Sequence, residues 1–424
     1  AGLHGVAKGW CPGALRPMES GDGLIVRLRI TGGIVDVALA EQIAQWSRRW
    51  GNGQIDLSNR GNLQLRGLSA QHLSELHEAL AGWDLLDGDA SGEAVRNVVS
   101  SPLAGLDSGA VLDVRPSVRS LERRLASDAE LHDLPGKFGF AIDDGGLLGL
   151  DAIPADIRFI ANRSVDGPVF DIRLAGAEGD RLGPCRPDAL VDVAAALVRA
   201  FLRQRAETGA RRICDLVSRR GVDAIACEAG LAHSCLPRPS GPVSPSAYLG
   251  AHALGSAGFL GIGLPFGAIA AEDFVKLTSA AAANGARELR LTPWRAILLP
   301  VGSVAAARKL AAEMAEHAFI LDPADPRLRV AACPGAPACL RGSMPIRDEA
   351  AGLAAELSGI SGSGIMIHVS GCEKGCAHPL AAPMTLVGRS GRYDLIRGGC
   401  ASDTPGLCDL TLEQVKQHVR GEAK

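Results

Sequence analysis

The stretch GLIVRLRITGGIVDVALAEQIAQWSRRWGNGQIDLSNRGNLQL, residues 23–65, returns in outline as GFLGIGLPFGAIAAEDFVKLTSAAAANGARELRLTPWRAILL, residues 258–299. Each copy reads as a strand, a glycine-containing turn, a helix, an Asn-Gly or Gly-Asn-Gly break and a strand pair. Two βαββ-like units of this kind, far apart in the chain, are expected to pack about a pseudo-two-fold axis into one domain. At 424 residues with 47% hydrophobic content, the chain can bury a full core and has room for two to three domains. The copies differ where chemistry would lie, because Trp294, Ala296 and Leu298 stand where the first copy has Arg60, Asn62 and Gln64. A single site on one side of the pseudo-axis would produce this asymmetry.

The polar face lies in IDLSNRGNLQLRG, residues 55–67, which alternates with a period of two as a half-buried strand does. Arg60, Asn62, Gln64 and Arg66 would share one face, and Leu57, Gly61, Leu63 and Leu65 would face the core. Such a face can be simply solvated. The functional alternative is a platform for a polycarboxylate, since arginine offers forked, permanently charged donors.

Eleven cysteines in a chain this long are too sparse for a disulfide scaffold and point to metal binding or inert burial. Cys11, Cys185, Cys214, Cys227, Cys235, Cys400 and Cys408 belong to no tight pair and read as buried or idle thiols. The other four form two groups, Cys333 and Cys339 in AACPGAPACLRG, and Cys372 and Cys376 in SGCEKGCAHP. Proline and glycine break regular structure between them, leaving loops that can wrap an inorganic centre, zinc or an iron-sulfur cluster. Zinc ribbons favour two-residue spacers, and here the spacers are five and three residues. Glycines beside the cysteines let the backbone approach closely and aim N–H groups at sulfur, so a 4Fe-4S cluster is the expected occupant.

Between the repeats, residues 95–245 carry RNVVSSP, the strand-like KFGFAI and DIRFIA, and the amphipathic helix DALVDVAAALVRAFLRQRAET. The stretch LPRPSGPVSPSAY, residues 236–248, reads as a linker. After the second repeat come the four cysteines, the strand GIMIHVS and the hairpin-like LAAPMTLVGRSGRYDLI. The net charge of -3, from 44 Lys and Arg against 47 Asp and Glu, gives no general attraction to nucleic acid. No apolar run is long enough to span a bilayer, and AGLHGVAKGWCPGALRPM lacks the apolar core of a signal peptide. A soluble cytoplasmic protein, with no membrane and no nucleic-acid partner, is the expectation. No GxGxxG after a strand, no GxxxxGK[ST] and no serine nucleophile elbow is evident.

With Cys-x5-Cys followed by Gly-Cys-x3-Cys, the chain resembles the sulfite and nitrite reductase superfamily over nearly its whole length. That resemblance implies an α+β fold of two ferredoxin-like half-domains packed with pseudo-two-fold symmetry, plus two larger α/β domains. The expected divisions are residues 1–92 (first half-domain with an N-terminal arm), 93–240 (first tetrapyrrole-site α/β domain, without cluster cysteines), 241–325 (second half-domain) and 326–424 (cluster α/β domain). It also implies Cys333, Cys339, Cys372 and Cys376 as cluster ligands, and Arg60, Arg96 and Lys137 as residues lining a tetrapyrrole and anion site. Reductases of this type usually carry a second basic residue two positions after the lysine, where this chain has Gly139. Losing that cation should weaken stabilisation of a small oxyanion.

The opening WCPGALRPMESGDGLIVRLR and SGCEKGCAHP look like the precorrin-3B synthase branch of the superfamily, in which the tetrapyrrole is substrate. That branch implies an oxygen-dependent monooxygenase. It hydroxylates precorrin-3A at the meso carbon between rings A and D, with lactone closure by the ring A acetate, in aerobic cobalamin biosynthesis. Arg60, Arg66, Arg96 and Lys137 would then bind substrate carboxylates, and Asn62 and Gln64 would fix orientation. The resemblance further implies a mononuclear non-haem iron, whose ligands no spacing singles out, and an external electron-transfer protein or NADH-linked reductase. His368 and His378 read as packing or supporting histidines, and Lys374 and Cys11 are left without a role. The alternative is a sirohaem-dependent sulfite or nitrite reductase, with Cys376 bridging to the haem iron. A non-catalytic cluster protein is the third possibility, and the polar strand face argues against it.

Overall fold

The computed structural model describes residues 11–174, 181–231, 245–358 and 364–422. The first repeat supplies five strands, Met18–Ser20 (β1), Gly23–Leu28 (β2), Ile34–Asp36 (β3), Gln54–Leu57 (β4) and Leu63–Leu68 (β5). The next segment adds Val98–Ser100 (β6), Phe140–Asp143 (β7), Ile157–Ser164 (β8), Gly167–Leu174 (β9) and Arg181–Cys185 (β10). The second repeat gives Gly250–Leu254 (β11), Ala257–Gly263 (β12), Ala268–Ala270 (β13), Glu288–Leu291 (β14) and Ala296–Val301 (β15). The last segment holds Val330–Ala332 (β16), Ile367–Ser370 (β17), Ala382–Arg389 (β18), Arg392–Gly399 (β19) and Leu407–Leu410 (β20).

The two half-domains exchange a strand. Their sheets run β1-β2-β5-β4-β13 and β11-β12-β15-β14-β3, so each is completed by three residues from the other repeat. Ile269 pairs with Ile55, and Val35 pairs with Leu289, both antiparallel. Helices Val37–Trp50 and Ala271–Ala283 pack against each other, and one continuous core takes in both, from Val26, Leu28 and Ile43 to Phe274, Leu277 and Leu299. Burying the apolar stripe of each helix against the other repeat is what makes the pair a single unit.

The remaining segments are also copies of one another. In one, β6-β7 and β7-β8 are parallel and β8-β9 and β9-β10 antiparallel; in the other, β16-β17 and β17-β18 are parallel and β18-β19 and β19-β20 antiparallel. The sequence reading missed this second duplication. It did place KFGFAI and DIRFIA on β7 and β8, the long helix at Leu190–Thr208, and GIMIHVS on β17. Most of the linker expected at 236–248 lies outside the described residues, and its end forms a 3-10 turn, Pro245–Tyr248. Among the described residues, no helix is long and apolar enough to cross a membrane.

Candidate active site

The stretch expected as one strand over residues 55–67 is a hairpin. β4 ends at Leu57, a turn covers 58–62 and β5 begins at Leu63. Ser58 N–H donates to the Asn62 carbonyl at 2.9 Å, and the Ser58 hydroxyl accepts from Asn62 N–H at 3.1 Å. Gly61 has φ +67, a conformation that costs a side-chain-bearing residue about 1 kcal/mol or more. The second repeat builds the same turn, with Thr292 N–H donating to Ala296 O at 3.0 Å, Thr292 Oγ1 accepting from Ala296 N–H at 3.2 Å, and Arg295 at φ +60 where Gly61 stands. Leu57, Leu63 and Leu65 enter the core as expected.

The expected site residues divide by what their polar groups already hold. Arg60 projects from the turn and donates to the Lys137 carbonyl at 2.7 Å, while its other terminal nitrogen has no hydrogen-bond partner among the described residues. Burial pulls its guanidinium below its ordinary pKa. Lys137 itself is exposed. Gln64 accepts from Arg27 Nε and Nη2 at 3.0 and 2.7 Å, so it fixes an arginine from β2. Asn62 is buried in the turn.

Arg66 and Arg96 have their terminal guanidinium nitrogens engaged, while Arg96 Nε has no hydrogen-bond partner among the described residues. Arg66 is 3% exposed and reaches Asp22, Asp56 and, at 2.6 Å, the Ala338 carbonyl, which lies in the loop between Cys333 and Cys339. Asp56 also binds Arg347, at 2.9 Å, from helix Ile346–Ala355 of the cysteine-bearing segment. The arrangement ties the first half-domain to the cysteine loop. Arg96 bridges Asp87 at 2.9 Å and Glu122 at 3.0 Å. Each carboxylate partner lies on a different element or loop from its arginine, at separations from 9 to 44 residues, so no fixed local spacing announced them.

The sequence reading did not single out Arg27 and Arg29. Their alternation in LIVRLRI puts Arg27 on β2 and Arg29 just past its end on the same face, with Arg27 acting on Arg60, and that spacing was the available signal. Burial and the neighbouring Arg27 pull Arg29 down to about 10. Arg29 is 4% exposed and donates to Asn97 Oδ1. Gly139 donates its N–H to Asp156 at 3.0 Å, and Asp156 in turn holds Arg212 at 2.9 Å.

Cys333, Cys339, Cys372 and Cys376 come together at the ends of β16 and β17. Burial pushes the Cys333 thiol up, the N–H groups of Gly371 and Gly335 pull it back, and Cys339 and Cys372 push it up again. Cys376 is raised by burial and by all three other thiols, with Lys374 opposing. Gly371 N–H lies 3.1 Å from Cys333 Sγ, as expected for glycines in such loops. A Cβ on Gly371 would sit 3.3 Å from Gly342 Cα and 3.4 Å from Gly335 Cα, so the loops meet backbone to backbone. Four mutually interacting thiols with an amide aimed at sulfur suit a cluster. No three His, Cys or carboxylate side chains among the described residues converge as ligands of a single ion.

His368, on β17, is fully buried, and neither ring nitrogen has a partner among the described residues. Burial, then His378 and Arg295, hold it down to about 4, so it is neutral. Arg295 donates to the Ala377 carbonyl at 3.1 Å. The turn of the second repeat thus grips the loop after Cys376, as the first grips Lys137. Trp294 packs against an apolar cluster that holds Leu103, Leu148 and Leu298, so the second copy's counterpart of the polar face is apolar.

Comparison with known proteins follows this architecture. Residues 16–82 match the nitrite/sulfite reductase ferredoxin-like half domain, and residues 91–233 the nitrite and sulphite reductase 4Fe-4S domain. The four clustered cysteines lie in the other copy of that second module. A precorrin-3B synthase from Sinorhizobium sp is 33% identical over 406 residues, covering 94% of this chain and 84% of the relative. A ferredoxin–nitrite reductase from Synechococcus elongatus is 28% identical over 407 residues, covering 89% and 78%. The solved structure of Mycobacterium tuberculosis NirA protein superposes with a TM-score of 0.75 at 21% identity, over 94% of this chain and 79% of that one, and supports the fold.

Proposed function

From the premise that the chain belongs to the nitrite and sulphite reductase superfamily and, within it, to the precorrin-3B synthase family, we propose that it is an oxygen-dependent monooxygenase of aerobic cobalamin biosynthesis. It hydroxylates precorrin-3A at the meso carbon between rings A and D, and the ring A acetate closes a lactone. One oxygen atom of dioxygen enters the product and the other leaves as water, which takes two electrons and two protons. Side chains cannot supply those electrons. An external electron-transfer protein or NADH-linked reductase in the cytoplasm is their source.

The observation that carries this reading is Gly139. A small oxyanion and its reduction would be served by a cation here, and the position has none. Packing does not force the glycine, since a Cβ would meet the Asn97 carbonyl at 3.5 Å, an ordinary contact. The greater identity and coverage of the precorrin-3B synthase relative point the same way.

In this reading the cluster would be held by Cys333, Cys339, Cys372 and Cys376, and it supplies electrons when bound. The chain's own residues do the rest. Arg60, with Lys137 at the rim, binds acetate or propionate carboxylates, and desolvation strengthens each charged hydrogen bond. Gln64 aims Arg27 at the same corner, and Asn62 fixes the turn that presents Arg60. Arg66 and Arg96 hold the walls: one ties the cysteine loop to the half-domain, the other seats β6 beside the cleft.

The test is the visible spectrum of protein purified without air, with iron and acid-labile sulfide counted on the same sample. A broad cluster absorption without sharp tetrapyrrole bands is expected. Strong bands that survive gel filtration and extract as sirohaem would instead make the protein a reductase.

A further inference from the structure

Two turns of the second repeat place side chains where a left-handed backbone favours glycine. Phe266, in the turn between β12 and β13, has φ +53, and Arg295, in the hairpin turn before β15, has φ +60. In the matching places the first repeat has Gly32 at φ +63 and Gly61 at φ +67. Neither glycine is forced by crowding, since a Cβ would meet nothing nearer than 3.6 Å at Gly32 and 3.5 Å at Gly61. The second repeat thus keeps two strained residues that the turn itself does not demand, and such strain persists where other contacts hold it. Both side chains reach the cysteine-bearing segment. Phe266 packs on the core that includes Val330, Cys333 and Met344. Arg295 lies across Gly267, where a Cβ would sit 2.8 Å from its Cδ, and donates at 3.1 Å to the carbonyl of Ala377, the residue after Cys376. The loop that it grips also rests on β17 and the end of β19: a Cβ on Gly375 would lie 3.4 Å from Cε1 of the buried His368 and 3.3 Å from Ala401 Cβ. Burial, then Arg347, lower the Arg295 guanidinium, with Asp56 opposing, and it stays charged.

We propose that Arg295 is a positioning residue for the iron-sulfur cluster: its strained turn is kept because it holds a fixed cation against the Cys372–Cys376 loop and so raises the cluster's reduction potential. The inference rests on the reading of Cys333, Cys339, Cys372 and Cys376 as cluster ligands, and is independent of the tetrapyrrole chemistry. In the step that it tunes, an external reductant gives up one electron and the cluster gains it, with no bond made or broken in the protein. A nearby cation stabilises the more negative, reduced form, and partial burial leaves that attraction weakly screened. Glutamine at this position would keep a donor for the Ala377 carbonyl without the charge. Lysine would keep the charge without the forked donor.

Cluster-loaded wild type, Arg295→Gln, Arg295→Gly and Arg295→Lys are assayed for iron and acid-labile sulfide. Each is then titrated with dithionite in the presence of redox mediators, while electron paramagnetic resonance follows the reduced cluster. In the two neutral variants the reduced-to-oxidised ratio at a fixed poise is expected to fall about tenfold, 59 mV for a one-electron couple. Arg295→Lys should stay within about threefold of wild type, because the charge is retained. Arg295→Gly should unfold no more readily than Arg295→Gln, because glycine relieves the backbone. Equal midpoints in wild type and a neutral variant with full iron and sulfide would overturn the proposal, as would a lysine variant no higher than the glutamine one. Loss of the cluster from both neutral variants would make Arg295 a structural tie alone and overturn the tuning role. Wild-type protein that takes up no iron and sulfide would sink the cluster reading itself, and this inference with it.

Discussion

Arg96 sits between Asp87 and Glu122 with all three side chains largely buried, whereas Arg60 keeps a terminal nitrogen without a hydrogen-bond partner among the described residues. The two should fail in opposite ways. Arg96→Ala leaves two carboxylates in low dielectric and is expected to cost about 3–5 kcal/mol in denaturant unfolding. Arg60→Ala should change stability by less than about 1 kcal/mol yet raise the dissociation constant for the tetrapyrrole. An Arg60→Ala protein that binds normally would remove that residue from the site. Asp144, buried beside Asp143 and Asp107, is pushed up to about 6, first by burial. A carboxyl raised in the folded state binds its proton more tightly there than when unfolded. Its contribution is therefore fully present below the unfolded value near 4 and is lost as pH rises through 6. Asp144→Asn should gain about 3 kcal/mol over wild type at pH 8, with the gain vanishing toward pH 4. Thermal unfolding across that range measures it, and a pH-independent difference would contradict the assignment.

At the scale of elements, the two hairpin turns show what a sequence discloses. Ser58, Gly61 and Asn62 are turn residues, but the period-two pattern across them was the louder signal and suggested an unbroken strand. The serine hydroxyl cap and the left-handed glycine break it. Gly61→Ala is expected to cost about 1 kcal/mol through backbone strain alone, since its nearest neighbour would be the Leu291 carbonyl at 3.5 Å. The cysteine loops were legible because proline, glycine and cysteine spacing are local. In those loops Gly371→Ala forces the backbones of Gly335 and Gly342 apart and should lower bound iron and sulfide while leaving far-ultraviolet dichroism intact. Full retention of the cluster would show that the loops have slack. By contrast, the ion pairs of Arg66 and Arg96 join residues from separate elements, and no local pattern encodes such partners.

Over the whole molecule, the repeat that opened the reading was legible because both copies keep the same order of helix, break and strand pair. The exchange of β3 and β13 was not, because three residues carry too little periodicity to declare a strand. The second duplication was hidden for a related reason: its parallel pairings, β6 with β7 and β16 with β17, are non-local and their strands short. Strand exchange over one shared core makes the half-domains a single cooperative unit. Val35→Ala, in β3, should cost about 1–3 kcal/mol and lower hydrogen-exchange protection in β14 and β15 of the other repeat. Loss confined to the first repeat would mean that the halves are independent. The central claim, that this scaffold places its tetrapyrrole as substrate, is tested most directly by supplying precorrin-3A, an electron donor and isotopically heavy dioxygen to the cluster-loaded protein and weighing the product. One heavy oxygen atom in a lactone-bearing product is expected. An unchanged tetrapyrrole, together with turnover of sulfite or nitrite by the same preparation, would contradict it.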